Sequence, residues 1–257
     1  MKDNEKIAIF LSNDKFSEYT YKKLKRKFIL SPFSFEKIDF TQSKIFSPYK
    51  FSKIVEFFEK EKIKKLLLIG RISPSILFKG KFDFLSNKIL PSNNWKGEKI
   101  VKNIIAFLEN KGIGTLSLKE VFDNELAEKK VYCGKIDEKD KKDIETGYAF
   151  LRDIEKYRCG QSVSIKDGMI IAVEGIEGTD EMIKRTGKYV ENFVVVKIAG
   201  RNKDERFDLP VIGPETIKTM VGAKGKVIAV ENGKTIIFDK EKVINQCKKA
   251  GITFLGI

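Results

Sequence analysis

The chain contains no histidine. That absence removes Ser-His-Asp and Cys-His catalysis, zinc sites with His ligands, and the His-rich two-metal sites of many phosphoesterases. Acid–base or metal chemistry must then rest on Asp, Glu, Lys, Tyr, Cys or bound water. Cysteine is scarce: Cys133, Cys159 and Cys247 form no CxxC pair. This argues against a disulfide framework or a cysteine zinc site and suits a reducing cytoplasm. No apolar run approaches the ~20 residues that a membrane span needs. The N-terminal MKDNEKIAIFLSND has only five apolar residues in a row and does not read as a signal peptide. No GxGxxG follows the first apolar run, where the sequence is FLSNDKFS, so nothing warrants a dinucleotide cofactor.

What is present is a 257-residue chain, 42% hydrophobic, with a formal net charge of +14. That is enough for two modest domains or one large one, each with a real core. Residues 1–132 carry 27 Lys/Arg against 16 Asp/Glu, and residues 133–257 carry 23 against 20. Fifteen of the 20 phenylalanines also fall in the first part. A basic, Phe-rich half suggests an anionic partner with apolar character, such as a phospholipid surface. The plainer reading is a lysine-biased composition whose lysines are solvated.

Hydrophobic periodicity predicts an alternation in the first half: a strand over 6–11, a basic helix over 15–27, and an amphipathic helix over 51–63. A short apolar strand follows over 64–72, then a helix over 97–112 stopped by Gly112. This βαβα order predicts a small Rossmann-like parallel sheet with helices on its faces. The charged segment KIDEKDKKD, 135–143, reads as a domain joint, giving domains 1–132 and 133–257. The second domain is expected to be mixed α/β: a helix over 143–158, a hairpin around Asp167-Gly168, and a helix over 179–187 with Thr179 as N-cap. After these come a buried strand over 192–200, a helix starting at Pro214, a second hairpin around Asn232-Gly233, a helix over 243–251 and a final strand.

Three stretches in the second half run from strand into polar, glycine-rich turn: Gly160-Gln161-Ser162, the segment VEGIEGTDEMI (173–183), and GRNKDERFDLPVIGP (200–214). Strand ends in an α/β sheet are where ligands usually sit. A helix N-terminus offers backbone N–H groups to phosphate, clustered carboxylates offer oxygen ligands to Mg²⁺, and Lys197 and Arg206 can neutralise phosphate charge. Together these parts describe a metal-assisted phosphate site. Singly, an acid beside Gly and Pro is a turn former or helix cap, and Lys197 within a strand run is an edge residue.

The segments GQSVSIKDGMIIAVEGIEGTDEMIKRTG, RFDLPVIGPETI and KGKVIAVENGKT, in that order and spacing, resemble the LpxI-type UDP-2,3-diacylglucosamine diphosphatases across most of residues 144–257. The first half resembles that family's N-terminal domain in outline, with IAIFLSND where the family usually has a glycine-rich turn. The resemblance implies Mg²⁺-dependent hydrolysis of the pyrophosphate of UDP-2,3-diacylglucosamine to UMP and 2,3-diacylglucosamine 1-phosphate, a lipid A precursor. It also implies two domains with the lipid ligand between them, and work at the cytoplasmic face of the inner membrane. On it we assign Asp208 as the metal-binding or water-activating carboxylate, Asp204 as the second carboxylate and Arg206 as the pyrophosphate ligand. Glu177 and Asp180 are assigned with Asp208 as metal ligands, and Gln161, Ser162, Lys197, Gly178, Thr179 and Thr216 as substrate-binding residues. Two rivals stay open: a nucleotide-sugar or lipid-phosphate binding or transfer protein of the same fold, and a non-enzymatic nucleic-acid-binding protein. The latter lacks an aromatic–basic RNA signature. Homo-oligomerisation is left open.

The charge surplus of residues 1–132 generates a first prediction. The chain should sediment with anionic vesicles and not with neutral ones, and added salt should release it. Each basic residue at such a surface contributes ~1 kcal/mol at low salt. Sedimentation indifferent to lipid charge or salt would reject the membrane reading.

Overall fold

A computed structural model of the chain describes residues 6–70, 80–89, 97–157, 159–201 and 203–257. Arg71 and Ile72 of the expected strand, Arg158 of an expected helix and Asn202 lie outside these residues. The chain divides into two compact units, Met1–Val121 and Phe122–Ile257.

In the first unit β1 (Lys6–Phe10), α1 (Lys15–Leu24), β2 (Ile29–Ser34), β3 (Lys44–Ile45), α2 (Phe51–Lys60) and β4 (Lys65–Leu68) follow one another. Then come α3 (Phe84–Ile89), α4 (Gly97–Asn110), β5 (Gly114–Thr115) and α5 (Leu118–Val121). The sheet order is β3-β2-β1-β4-β5, and every pairing is parallel, as the alternating periodicity requires. After β1 the chain does not open a phosphate turn. Asp14 caps α1, its side chain accepting the Ser17 N–H at 2.8 Å, so a carboxylate already stands at that helix N-terminus.

The expected Phe-rich surface is not what forms here. Phe10, Phe33, Phe51 and Phe58 are buried and pack with Phe35, Phe46, Phe57 and Phe107 into one core. Phe33 lies edge-on to Phe58 at 5.4 Å between ring centroids. Among the described phenylalanines of residues 1–132 only Phe84 is exposed. An aromatic ring buries more apolar area than an aliphatic side chain, and a short five-stranded sheet gains most of its core from such groups.

The second unit runs β6 (Val131–Cys133), α6 (Glu138–Ile154), β7 (Ser162–Lys166), β8 (Met169–Val173), α7 (Thr179–Thr186), β9 (Val194–Lys197) and β10 (Val211–Ile212). It continues through α8 (Pro214–Gly222), β11 (Val227–Val230), β12 (Ile236–Ile237), α9 (Lys240–Ala250) and β13 (Thr253–Gly256). The main sheet has the order β6-β13-β11-β9-β7-β8. Its middle strands β13, β11 and β9 are parallel, while β6 and the β7–β8 hairpin are antiparallel. The α/β character with mixed strand direction matches the sequence reading.

Three details differ from that reading. The division between units falls at 121/122 rather than at 132/133, because β6 pairs with the C-terminal β13. The charged stretch 135–143 is not an exposed joint over its length: Asp137 and Asp140 form a capping box that starts α6, and buried Asp143 accepts the N–H groups of Asp167 and Gly168. The acids satisfy orphan backbone donors. The stretch 225–241 is no hairpin. β11 lies in the main sheet, and β12 pairs in parallel with β10 in a separate two-stranded sheet.

The main sheet is covered on both faces, hence the unbroken apolar runs of its strands. Val194, Val196 and Ile198 pack with Ile144 and Leu151 of α6, while Val195 packs with Met182, Ile183, Ile217 and Met220 of α7 and α8. Cys133 and Cys247 are buried and Cys159 is exposed, all as free thiols. Burial, with Cys133 alongside, pushes the Cys247 thiol up to about 12. Among the described residues no helix is long and apolar enough to cross a membrane.

Gly147 lies inside α6, where a Cβ would meet Ile165 Cδ1 at 2.5 Å and Val196 Cγ2 at 2.8 Å. A mid-helix glycine costs up to about 1 kcal/mol of propensity, and close approach of α6 to the sheet is what it gives in return. Overpacking costs about 1–3 kcal/mol, so Gly147→Val should lower the melting temperature by roughly 5 °C. An unchanged or higher melting temperature would show that α6 is not pressed against β7 and β9.

Candidate active site

Strand alternation decides where Lys197 points. Val194 and Val196 face α6, so Val195 and Lys197 face α7. The same alternation sends Ser162 and Ser164 of β7 to that face, opposite the Val163 and Ile165 that meet α6. Lys197 ends β9 and pairs in register with Ser162, the first residue of β7, and with Val230, the last of β11. The cluster therefore stands at the C-terminal edge of the parallel strands, where an α/β sheet presents ligand-binding groups.

Lys197 is 5% exposed. Its ammonium donates to Thr179 Oγ1 at 2.6 Å and Ser162 Oγ at 3.3 Å. Thr179 Oγ1 in turn donates to Glu174 Oε1 at 3.0 Å, and Glu174 Oε2 accepts the Gln161 N–H at 3.0 Å. Gly160 permits this: a Cβ there would meet the Glu174 carbonyl oxygen at 2.4 Å. Burial pushes the Glu174 carboxyl up. The Lys197 charge and the donors Ser162, Gln161 and Thr179 outweigh it, leaving the group below the usual carboxylate range.

Thr179 was expected as the N-cap of its helix. The structure gives that place to Gly178, at φ +86°, and makes Thr179 the first helical residue. The shift matters chemically. A capping threonine would spend its oxygen on the helix, whereas here that oxygen belongs to the Lys197–Glu174 cluster. Gly178 supplies no side-chain cap, so the N-terminus of α7 keeps its capacity for an anion.

Asp208 lies beside the cluster. Gln161 Nε2 approaches its Oδ1 at 3.5 Å, the outer limit of a hydrogen bond, and Lys203 Nζ donates to its Oδ2 at 2.5 Å. Asp204 and Arg206 engage each other instead: Arg206 Nε and Nη2 donate to the two carboxylate oxygens at 2.9 and 2.8 Å. Glu177 pairs with Arg185 at 2.6 Å. Asp180 sits in the first turn of α7, and Thr216, buried, in that of α8. Of the assigned residues, then, Gln161, Ser162, Thr179, Lys197 and Asp208 come together, with Gly178 supporting them.

The carboxylates do not form the expected metal cage. Among the described residues no group of three or more His, Cys, Asp or Glu could hold a metal ion, so Asp208, Glu177 and Asp180 are not one ligand set. Two members of the site were not assigned from sequence, Glu174 and Lys203. Glu174 had a signal: a lysine inside the apolar run VVVKIAG must find a counter-charge, and the end of a nearby strand is where one can stand. Lys203 had none, since its partnership depends on how the 200–210 segment folds back.

Residues 29–125 match the LpxI N-terminal domain family, and residues 128–255 match the LpxI C-terminal domain family. A UDP-2,3-diacylglucosamine pyrophosphatase, LpxI, of Caulobacter vibrioides is 31% identical over 124 residues. That alignment spans 45% of this chain and 44% of the relative's length.

The Lys197–Glu174 pair yields a pH prediction. The lowered Glu174 group contributes stability above its unfolded value of 4.5, lost as the pH falls through the folded value. In Lys197→Met the carboxyl keeps its burial and loses its cation, so its folded value moves upward. The variant should then be less stable at neutral pH, by about 3 kcal/mol. The gap to wild type should narrow towards pH 4. Denaturant melts at several pH values check this, and a gap constant with pH would separate Glu174 from Lys197.

Proposed function

Because the chain belongs to the LpxI family, we propose that it hydrolyses the pyrophosphate of UDP-2,3-diacylglucosamine to UMP and 2,3-diacylglucosamine 1-phosphate, a step of lipid A biosynthesis. The observation that carries the reading is a buried ammonium, Lys197, held at a strand end by two hydroxyls and next to an uncapped helix N-terminus. That constellation suits phosphate oxygens. The first N–H groups of α7 donate to them, and Lys197, positioned by the hydroxyls of Ser162 and Thr179, offsets the charge that builds on the departing phosphate.

In this reading Asp208 orients the attacking water and takes its proton. The water oxygen bonds to one phosphorus as the bridging P–O bond breaks, and the bridging oxygen leaves on the other phosphate. Lys203 holds Asp208 in place in the absence of substrate. Magnesium fits only in a reduced form, since among the described residues no three carboxylates are grouped for it. Magnesium is commonly bound through one or two carboxylates plus substrate phosphates, and Asp208 is the carboxylate beside the cluster; no step above depends on the ion. The site of action in the proposal is the cytoplasmic membrane surface, reached through the lysine surplus of residues 1–132 and not through exposed phenylalanines.

Release of UMP from UDP-2,3-diacylglucosamine tests the proposal. Asp208→Ala should lower the rate roughly 100-fold or more with little change in melting temperature, while Glu241→Ala, in the exposed first turn of α9, should leave it near wild type. Release of UDP instead of UMP would assign the chain to transfer chemistry. Near-normal turnover in Asp208→Ala would remove Asp208 from the mechanism.

A further inference from the structure

We propose that Arg152 and Glu231 are positioning residues which grip the Ala199 peptide from both sides and so fix the start of the segment that carries Asp208. The inference rests on the functional reading above for its kinetic consequence, but its structural part stands on geometry alone.

Beyond Lys197 the strand loses its partners one by one. Ile198 N–H still reaches the Gln161 carbonyl at 2.9 Å. At Ala199 the ladder has ended, because β11 has already turned away after Val230. A fully buried peptide cannot leave its N–H and C=O unpaired without a cost of about 1–3 kcal/mol each, and Ala199 is fully buried. Side chains take over. Glu231 Oε2 accepts the Ala199 N–H at 2.8 Å, and Arg152 Nη1 donates to the Ala199 carbonyl at 2.7 Å.

The two side chains also bind each other through Arg152 Nη2 and Glu231 Oε1. Each is only 9% exposed. Tyr148 Oη accepts from Arg152 Nη2 at 3.0 Å, with the guanidinium 4.8 Å from its ring centroid, and Lys234 Nζ donates to Glu231 Oε1 at 3.1 Å. Glu231 N–H donates to the Lys197 carbonyl at 3.0 Å, which ties the grip to the residue that holds the site. Glu155, one turn after Arg152, accepts the Arg201 N–H. Thus α6, β9 and the end of β11 meet at one peptide, and the chain leaves it in one direction.

A guanidinium is the group this grip requires. It can donate to a carbonyl, a carboxylate and a phenol at once in a fixed plane, which an ammonium cannot reproduce. Shifting a catalytic group by about 1 Å costs on the order of 100-fold in rate, so slack at Ala199 should appear in turnover more than in binding.

Hydrogen exchange on the full chain, read by mass spectrometry for wild type, Arg152→Lys and Glu231→Gln, tests the proposal. We expect exchange in residues 200–208 to quicken about tenfold in both variants, with β9 and β11 amides as protected as in wild type. We expect kcat for UMP release to fall about tenfold or more, with KM within about twofold. Unchanged exchange in 200–208 would overturn the grip. So would loss of protection throughout the unit, which would make the pair a general stabiliser. Faster exchange with unchanged kcat would overturn its catalytic relevance. If wild type itself releases no UMP, the functional reading fails while the exchange measurement still decides the grip.

Discussion

A lysine at the end of the central strand of a six-stranded sheet is the constraint around which the second unit is arranged. Removing an ammonium from water costs several kcal/mol even after relaxation, and only a counter-charge with good hydrogen bonds offsets it. Glu174 provides the counter-charge, and Thr179 and Ser162 stand between it and Lys197. Each provider comes from a different element: the end of β8, the start of α7 and the start of β7. Satisfying one cation therefore fixes the register of three segments at one sheet edge. The bonds remain in the absence of any ligand, so the ammonium is already oriented.

The two faces of the sheet divide the work. On the α6 face the strands present apolar Val, Ile, Leu and Ala side chains, and Gly147 lets the helix settle closely on them. The α7 face carries a polar strip of Ser162, Ser164 and Lys197 among apolar neighbours. Ser164 Oγ lies 2.7 Å from Thr186 Oγ1, repeating at the other end of α7 the hydroxyl pairing made by Ser162 and Thr179. The helix is thus fastened at both ends by small polar contacts, and its N-terminus has no side-chain cap.

Much of the fold was legible because periodicity is a direct record of burial. The parallel sheet of the first unit, the Asp167-Gly168 hairpin and the buried strand within 192–200, which forms over Val194–Lys197, were all written in spacing. The second supposed hairpin failed for a definite reason. A turn signal such as Asn232-Gly233 says that the chain reverses locally, but not that the flanking strands pair; here each found a parallel partner far away in sequence. The joint at 135–143 failed because charge was read as exposure, although acids there cap a helix and anchor a turn. For the site, the residues assigned on the family resemblance include four, Gln161, Ser162, Thr179 and Asp208, that the fold brings into one neighbourhood. Residue types beside glycine could not separate an acid aimed at the cluster from one absorbed by a neighbouring arginine, as happens to Asp204 and Glu177. That distinction is set by side-chain direction in a folded turn, which composition does not encode.

The three thiols differ in a way that turns the chain into its own reporter. Cys133 and Cys247 are sealed in the core, out of reach of alkylating reagents, and burial also pushes the Cys247 thiol up to about 12. Cys159 is exposed two residues before Gln161. A single spectroscopic label can therefore be attached at the lip of the cluster without removing any native cysteine, while the sealed pair becomes reactive only in molecules that have unfolded. Stoichiometry of labelling then counts folded chains, and the environment of the one early label reports on what enters the site.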